Sequence, residues 1–122
     1  GTTDTKEMLN LNVEDITNGM KKLIKIVKNM KILKNCSPAK ILIIVPPIVL
    51  EEADFASKLF KGATAKTQEL VKSYENLAKE ENVYYLNPTN EIKVDKIEGV
   101  HMDNTNHEKL AKLIANKLLE IK

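Results

Sequence analysis

At 122 residues with a net charge of +2, 43% apolar and 30% charged residues, the chain has the size and balance of one ordinary globular domain spanning 1–122. No apolar run approaches the ~20 residues a membrane span needs, and the lysines are scattered among acids, which sets aside membrane and nucleic acid as partners. Arginine is absent, so the chain has no planar fork for bidentate contact and a phosphate-binding role drops in rank.

The chain opens on "GTTDTK" (1–6). It starts with Gly1 rather than Met, directly at a motif, which leaves the compartment and any leader open, with the cytoplasm as the default. From Asn12, a residue type suited to an N-cap, the apolar positions Val13, Ile16, Met20, Leu23, Val27 and Met30 recur in alternating three- and four-residue steps. That spacing predicts a helix with one buried face. "KNCSPA" (34–39) breaks it, and there lies Cys36, the single cysteine. One cysteine excludes an intramolecular disulfide and a multi-cysteine zinc site, and Cys36 reads as a free thiol.

"KILIIV" (40–45) is short, β-rich and apolar on both faces, as central strands of parallel sheets are. Pro46 and Pro47 end it. The mixed segment 48–62 offers a short helical turn around Phe55, Leu59 and Phe60 before Gly62. A second long helix is predicted over roughly 63–80, with Leu70, Val71, Tyr74, Leu77 and Ala78 on one side. "NVYYLN" (82–87) is the next strand, stopped by Pro88. Thr105, with Glu108 three residues on, forms a capping box for a last helix carrying Leu110, Leu113, Ile114, Leu118 and Ile121.

Helix, strand, helix, strand, helix is the order of an α/β protein whose parallel strands are joined by right-handed crossovers. Two strands cannot cover the apolar faces of three long helices, since sheets of this kind usually have five or more. The expectation is that further strands precede Gly1 or come from another chain. The chain as it stands should then form a homo-oligomer or associate with the missing N-terminal segment.

The residues suited to chemistry cluster late, in "EGVH" (98–101). A carboxylate three residues before a histidine can bond one ring nitrogen and leave the other for a nucleophile, and Gly99 between them permits the tight turn this requires. A metal reading would use His101, Asp103 and His107, but the two histidines stand six apart across a helix start rather than at the i, i+4 spacing of one face. No metal is expected, and His107 is assigned to the first turn of the last helix as a packing or hydrogen-bonding residue. Ser37 precedes Pro38 in a loop, and Ser57 and Ser73 lie in helical contexts. None sits on a glycine-flanked strand-to-helix turn, the setting of a nucleophilic serine.

Taken in order, "GTTDTK", "KILIIVPP" (40–47), "LFKGATAKTQELVKSYENLAKE" (59–80) and "EGVHMDNTNHEKLA" (98–111) resemble the later part of an SGNH, or GDSL-type, serine esterase, and within that superfamily its arylesterase-like group. The resemblance runs through all 122 residues. It implies a flavodoxin-like three-layer α/β/α fold with a parallel sheet, the N-terminal strands being absent from this chain. The family's third block, G-x-N-D, falls on Gly1, Thr2, Thr3 and Asp4, so Thr3 stands where an asparagine helps form the oxyanion hole. Its fifth block, D-x-x-H, falls on Glu98 as triad acid and His101 as base. The blocks carrying the nucleophilic serine and an oxyanion-hole glycine lie upstream in the family.

The implied function is hydrolysis of small carboxylic esters, or acyl transfer from them, through a Ser-His-acid triad whose serine lies outside this chain, with no cofactor. Glutamate for aspartate at 98 is chemically tolerable. Threonine at 3 donates from a shorter arm, and losing one oxyanion donor costs on the order of 100- to 1000-fold in rate. The alternative is a truncated or degenerate member that binds or assembles without catalysing. A receiver-type binding module ranks far behind, because no acidic cluster follows a first strand.

Overall fold

The structure is a computed structural model and describes residues 1–30 and 36–121. The helix break expected at 34–39 therefore lies partly outside the described residues. Two short 3-10 turns, Thr2–Thr5 and Glu7–Leu9, lead into helix α1, Val13–Lys28. There follow β1, Leu42–Ile44; α2, Ala56–Leu59; α3, Ala63–Glu81; β2, Tyr84–Leu86; and α4, Asn104–Glu120.

Helix α1 starts where a reciprocal pair of side-chain bonds satisfies its first free N–H groups. The Asp15 N–H donates to Asn12 Oδ1 at 2.8 Å, and the Asn12 N–H donates to Asp15 Oδ2 at 3.0 Å. Acids in its first turn, Glu14 and Asp15, and lysines in its last, Lys25 and Lys28, complement the helix dipole.

β1 and β2 pair in parallel, with Leu42 opposite Tyr84, Ile43 opposite Tyr85 and Ile44 opposite Leu86, as the element order predicts. The helix-bearing face of this sheet carries the main core. Ile16 and Ile24 of α1 meet Leu70, Tyr74, Leu77 and Ala78 of α3 above Ile43 and Val45. Ion pairs from Lys21 to Glu80 and from Lys28 to Glu81 link the same two helices at the surface. A second, smaller core unites Val49, Ala56, Phe60, Ala63 and Val100. It ties the loop before α4 to the segment after β1, and so positions the chemistry.

Two sequence expectations are corrected. The buried face of α1 runs through Val13, Ile16, Met20 and Ile24, while Leu23, Val27 and Met30 are exposed by 58%, 37% and 62%. The three- and four-residue steps fit either stripe at the C-terminal end of the helix. Contact with α3 selects the one containing Ile24 and turns the other, joined by the exposed Ile26, outward. The last helix is capped by Asp103 rather than Thr105: Asp103 Oδ1 accepts the Asn106 N–H at 2.8 Å. A carboxylate at the N-cap takes this charge-assisted bond, and it also meets the positive end of the helix dipole.

The sheet has two strands, so each outer edge is free of a further strand among the described residues, and the ladder shows which groups of β1 face its edge. The Tyr84 N–H bonds Ile41 O at 2.9 Å and the Val45 N–H bonds Leu86 O at 3.0 Å. By the alternation of the ladder, the polar backbone groups of Leu42 and Ile44 point away from β2, to a side where no strand lies among the described residues. The apolar surface of α4 is similarly uncovered: none of its side chains is buried, and Leu118 and Leu119 are exposed.

Candidate active site

The loop between β2 and α4 folds tightly enough to turn the carboxylate of Glu98 onto the ring of His101. Glu98 Oε2 lies 2.7 Å from His101 Nδ1. Its other oxygen, Oε1, accepts the Val100 N–H at 2.9 Å and also the His101 N–H. The bend occurs at Gly99, whose φ of +82° is in the left-handed region that glycine enters without cost.

The bend is held from one side by the segment around α2. The Leu50 N–H donates to Gly99 O at 2.9 Å, and the Ala56 N–H donates to Glu98 O at 3.0 Å. Gly99 sits so close to this segment that a Cβ there would collide with Leu50 O. Val100 meanwhile plugs into the small core beside Ala56 and Phe60.

With Nδ1 engaged by Glu98, Nε2 is the ring nitrogen left for chemistry. The His101 side chain is 74% exposed and lines a hollow of about 330 Å³ together with Thr3, Pro47, Phe55, Val100 and His107. The Phe55 ring stands beside that of His101, centroids 6.4 Å apart and planes tilted by 34°. The structure thus brings the two ends of the sequence to one place. Thr3, from the first 3-10 turn, and His101, from the loop before α4, border the same hollow. Glu98 lies behind His101 rather than on its walls.

His107 occupies the first turn of α4 as expected, but its exposed side chain lines this hollow instead of packing into a core. No group of three or more His, Cys, Asp or Glu among the described residues could hold a metal ion. The Ser57 hydroxyl is taken up by Asp54 O at 3.0 Å, while Ser73 lies in a separate hollow between α1 and α3. Phe55 and Pro47 escaped the sequence reading as site residues. No periodic or spacing signal marks a contact between segments some fifty positions apart.

The Glu98 carboxyl is caught between opposing effects. Burial raises its pKa, but the bond to the His101 ring and the N–H bonds of His101 and Val100 together outweigh this and hold it below its ordinary value of 4.5. A depressed carboxyl contributes stability that is fully present above the unfolded value and is lost as pH falls through the folded one. The Val100 and His101 amide protons are therefore expected to lose their hydrogen-bonded NMR shifts together, at a pH below 4.5. Amide resonances that move with an ordinary carboxylate midpoint would show that the contact does not form in solution.

No family model and no curated protein matches this sequence. Solved structures do match. A carbohydrate acetylesterase from Sinorhizobium meliloti shares 27% identity with a TM-score of 0.89. An aryl esterase from M. smegmatis shares 26% identity with the same score of 0.89. Both alignments cover 100% of this chain and 58% of the other, so the chain spans little more than half the length of the structures it matches.

Proposed function

We propose that this chain, which carries the C-terminal portion of an arylesterase-like SGNH hydrolase fold, supplies the acid and base of a serine ester hydrolase. The observation that carries the reading is the 2.7 Å contact of Glu98 with His101 Nδ1, at the rim of a hollow that Thr3 also borders. In the mechanism, a serine from outside the chain attacks the carbonyl carbon of a small acyl ester. His101 Nε2 takes the serine proton, and Glu98 stabilises the imidazolium that results. The ester C–O bond then breaks, the same proton passes to the departing alkoxide, and an acyl-enzyme remains. Water, or a second alcohol, releases the acyl group by the same steps in reverse roles. Thr3 donates toward the oxyanion from its hydroxyl.

The serine-bearing segment would dock along the open edge of β1, where Leu42 and Ile44 offer unpaired backbone groups, and under the outward stripe of α1. That surface favours one other reading. A chain with threonine at position 3, an unpaired strand edge and exposed apolar residues on α1 and α4 also suits a member that assembles without catalysing.

A serine-reactive fluorophosphonate probe separates the two. The pure 122-residue chain should remain unlabelled and leave p-nitrophenyl acetate intact. The protein extended upstream through a GDS-type serine, about eighty to a hundred residues before Gly1 on domain-size grounds, should be labelled at that serine and hydrolyse the ester. Labelling of Ser37, Ser57 or Ser73 would overturn the external-serine mechanism. An extended protein that folds but takes no label would favour assembly.

A further inference from the structure

Resting on the reading of Glu98 and His101 as acid and base, we propose that Asp95 is a positioning residue for that pair. It sets the loop that turns Glu98 onto the His101 ring, while touching neither substrate nor the reacting atoms. Asp95 closes this loop at four points. Its N–H donates to His101 O at 2.7 Å, and its C=O accepts the Gly99 N–H at 2.8 Å. Its side-chain Oδ1 accepts the Ile97 N–H at 2.7 Å and the Glu98 N–H at 3.1 Å.

The backbone bonds fix the span of the loop and do not depend on the side chain. The side-chain bonds do something different: they hold the peptide entering Glu98, while the Ala56 N–H holds the Glu98 carbonyl at 3.0 Å on the leaving side. With the backbone pinned on both sides, only the side-chain torsions of Glu98 stay free, and the Val100 and His101 N–H groups capture its carboxylate. Nothing else among the described residues bonds the Ile97 or Glu98 N–H, and Ile97 is 75% exposed. Removing Oδ1 would hand both groups to water and release the arc that delivers the acid.

Two substitutions separate this role from mere bulk or charge. Asparagine at 95 keeps the acceptor oxygen and loses the charge; alanine loses both. In the 122-residue chain, the Glu98 carboxyl is followed by carbon-detected NMR titration and the His101 Nδ1 proton by its downfield resonance. Wild type and Asp95→Asn should both keep the Nδ1 resonance and a Glu98 midpoint below the ordinary 4.5. Asp95→Ala should lose the resonance to exchange and move the Glu98 midpoint up, with the far-UV spectrum unchanged. Should Asp95→Ala fail to fold, Asp95→Ser, whose oxygen sits on a shorter arm, is read in its place and should fall between the two.

The proposal is overturned if the alanine variant, or the serine variant read in its place, keeps both signals of the wild type, or if the asparagine variant loses them as alanine does. Ester hydrolysis is not read in this experiment. A failure of the esterase mechanism would appear in the probe assay instead, with these signals intact.

Discussion

Gly99→Ala is expected to destabilise the protein by about 2–5 kcal/mol, the sum of a left-handed backbone penalty and an overpacked contact. The added Cβ would collide with Leu50 O and lie 2.7 Å from Ala53 Cβ and 2.9 Å from Ala56 Cβ. None of these is the end of a flexible side chain, so relief requires moving the backbone of the segment that anchors the loop. Gly62 provides the control, with a φ of +80° but nothing within 4 Å of where a methyl would stand. Gly62→Ala should therefore cost only the conformational part, about 1–2 kcal/mol. Urea unfolding midpoints of the two variants check this, and equal losses would mean that the close approach at Gly99 carries no energy. The His101 Nδ1 resonance should survive in Gly62→Ala and vanish in Gly99→Ala, because only the second displaces Glu98.

Gly99 also illustrates what could be read ahead of the structure. A glycine between a carboxylate and a histidine is a local pattern, and so is an N-cap such as Asn12 or a strand ended by two prolines. All three are set by neighbours within a few positions, and all three appear where the sequence places them. The parallel pairing of β1 with β2 follows from element order alone. The unfavourable ratio of strands to helices anticipates the open edge at Leu42 and Ile44.

Other features depend on packing that no local pattern encodes. The choice between Leu23 and Ile24 as the inward residue of α1 is a rotation of one position, decided by where Leu77 and Ala78 of α3 stand. Asp103 displaces Thr105 as cap because α4 begins at Asn104, where the Asp103 carboxylate is in place to accept the Asn106 N–H at 2.8 Å. The hollow draws Thr3, Pro47, Phe55, His101 and His107 from four separate stretches. Of these, His101 could be named beforehand from its spacing to Glu98, and His107 from its place at the start of the last helix, whereas Thr3 could be named only through the resemblance.

On the proposed mechanism, the largest effects are expected at Glu98 and His101, measured in the upstream-extended protein with p-nitrophenyl acetate. His101→Ala should lower kcat by about 10⁴- to 10⁶-fold, since the serine would then lose the group proposed to accept its proton. Glu98→Gln is the more discriminating change. The amide keeps the size of the side chain but replaces one acceptor oxygen with an N–H₂ donor and removes the charge that stabilises the imidazolium. A loss of about 10³- to 10⁴-fold is expected, falling on kcat while KM stays within a few-fold, because Glu98 stands behind His101 and does not line the hollow. Glu98→Asp retains the charge on a shorter arm, and the loop must close by about one methylene to restore the Nδ1 contact. The Val100 and His101 N–H groups that now hold Oε1 pull in that direction, so activity should stay within about tenfold of wild type. Aspartate well above glutamine at this position distinguishes a charge-dependent acid from a residue that merely shapes the turn. If Glu98→Gln were as active as Glu98→Asp, the carboxylate would have no part in the chemistry, and the 2.7 Å contact would be a structural bond of the loop.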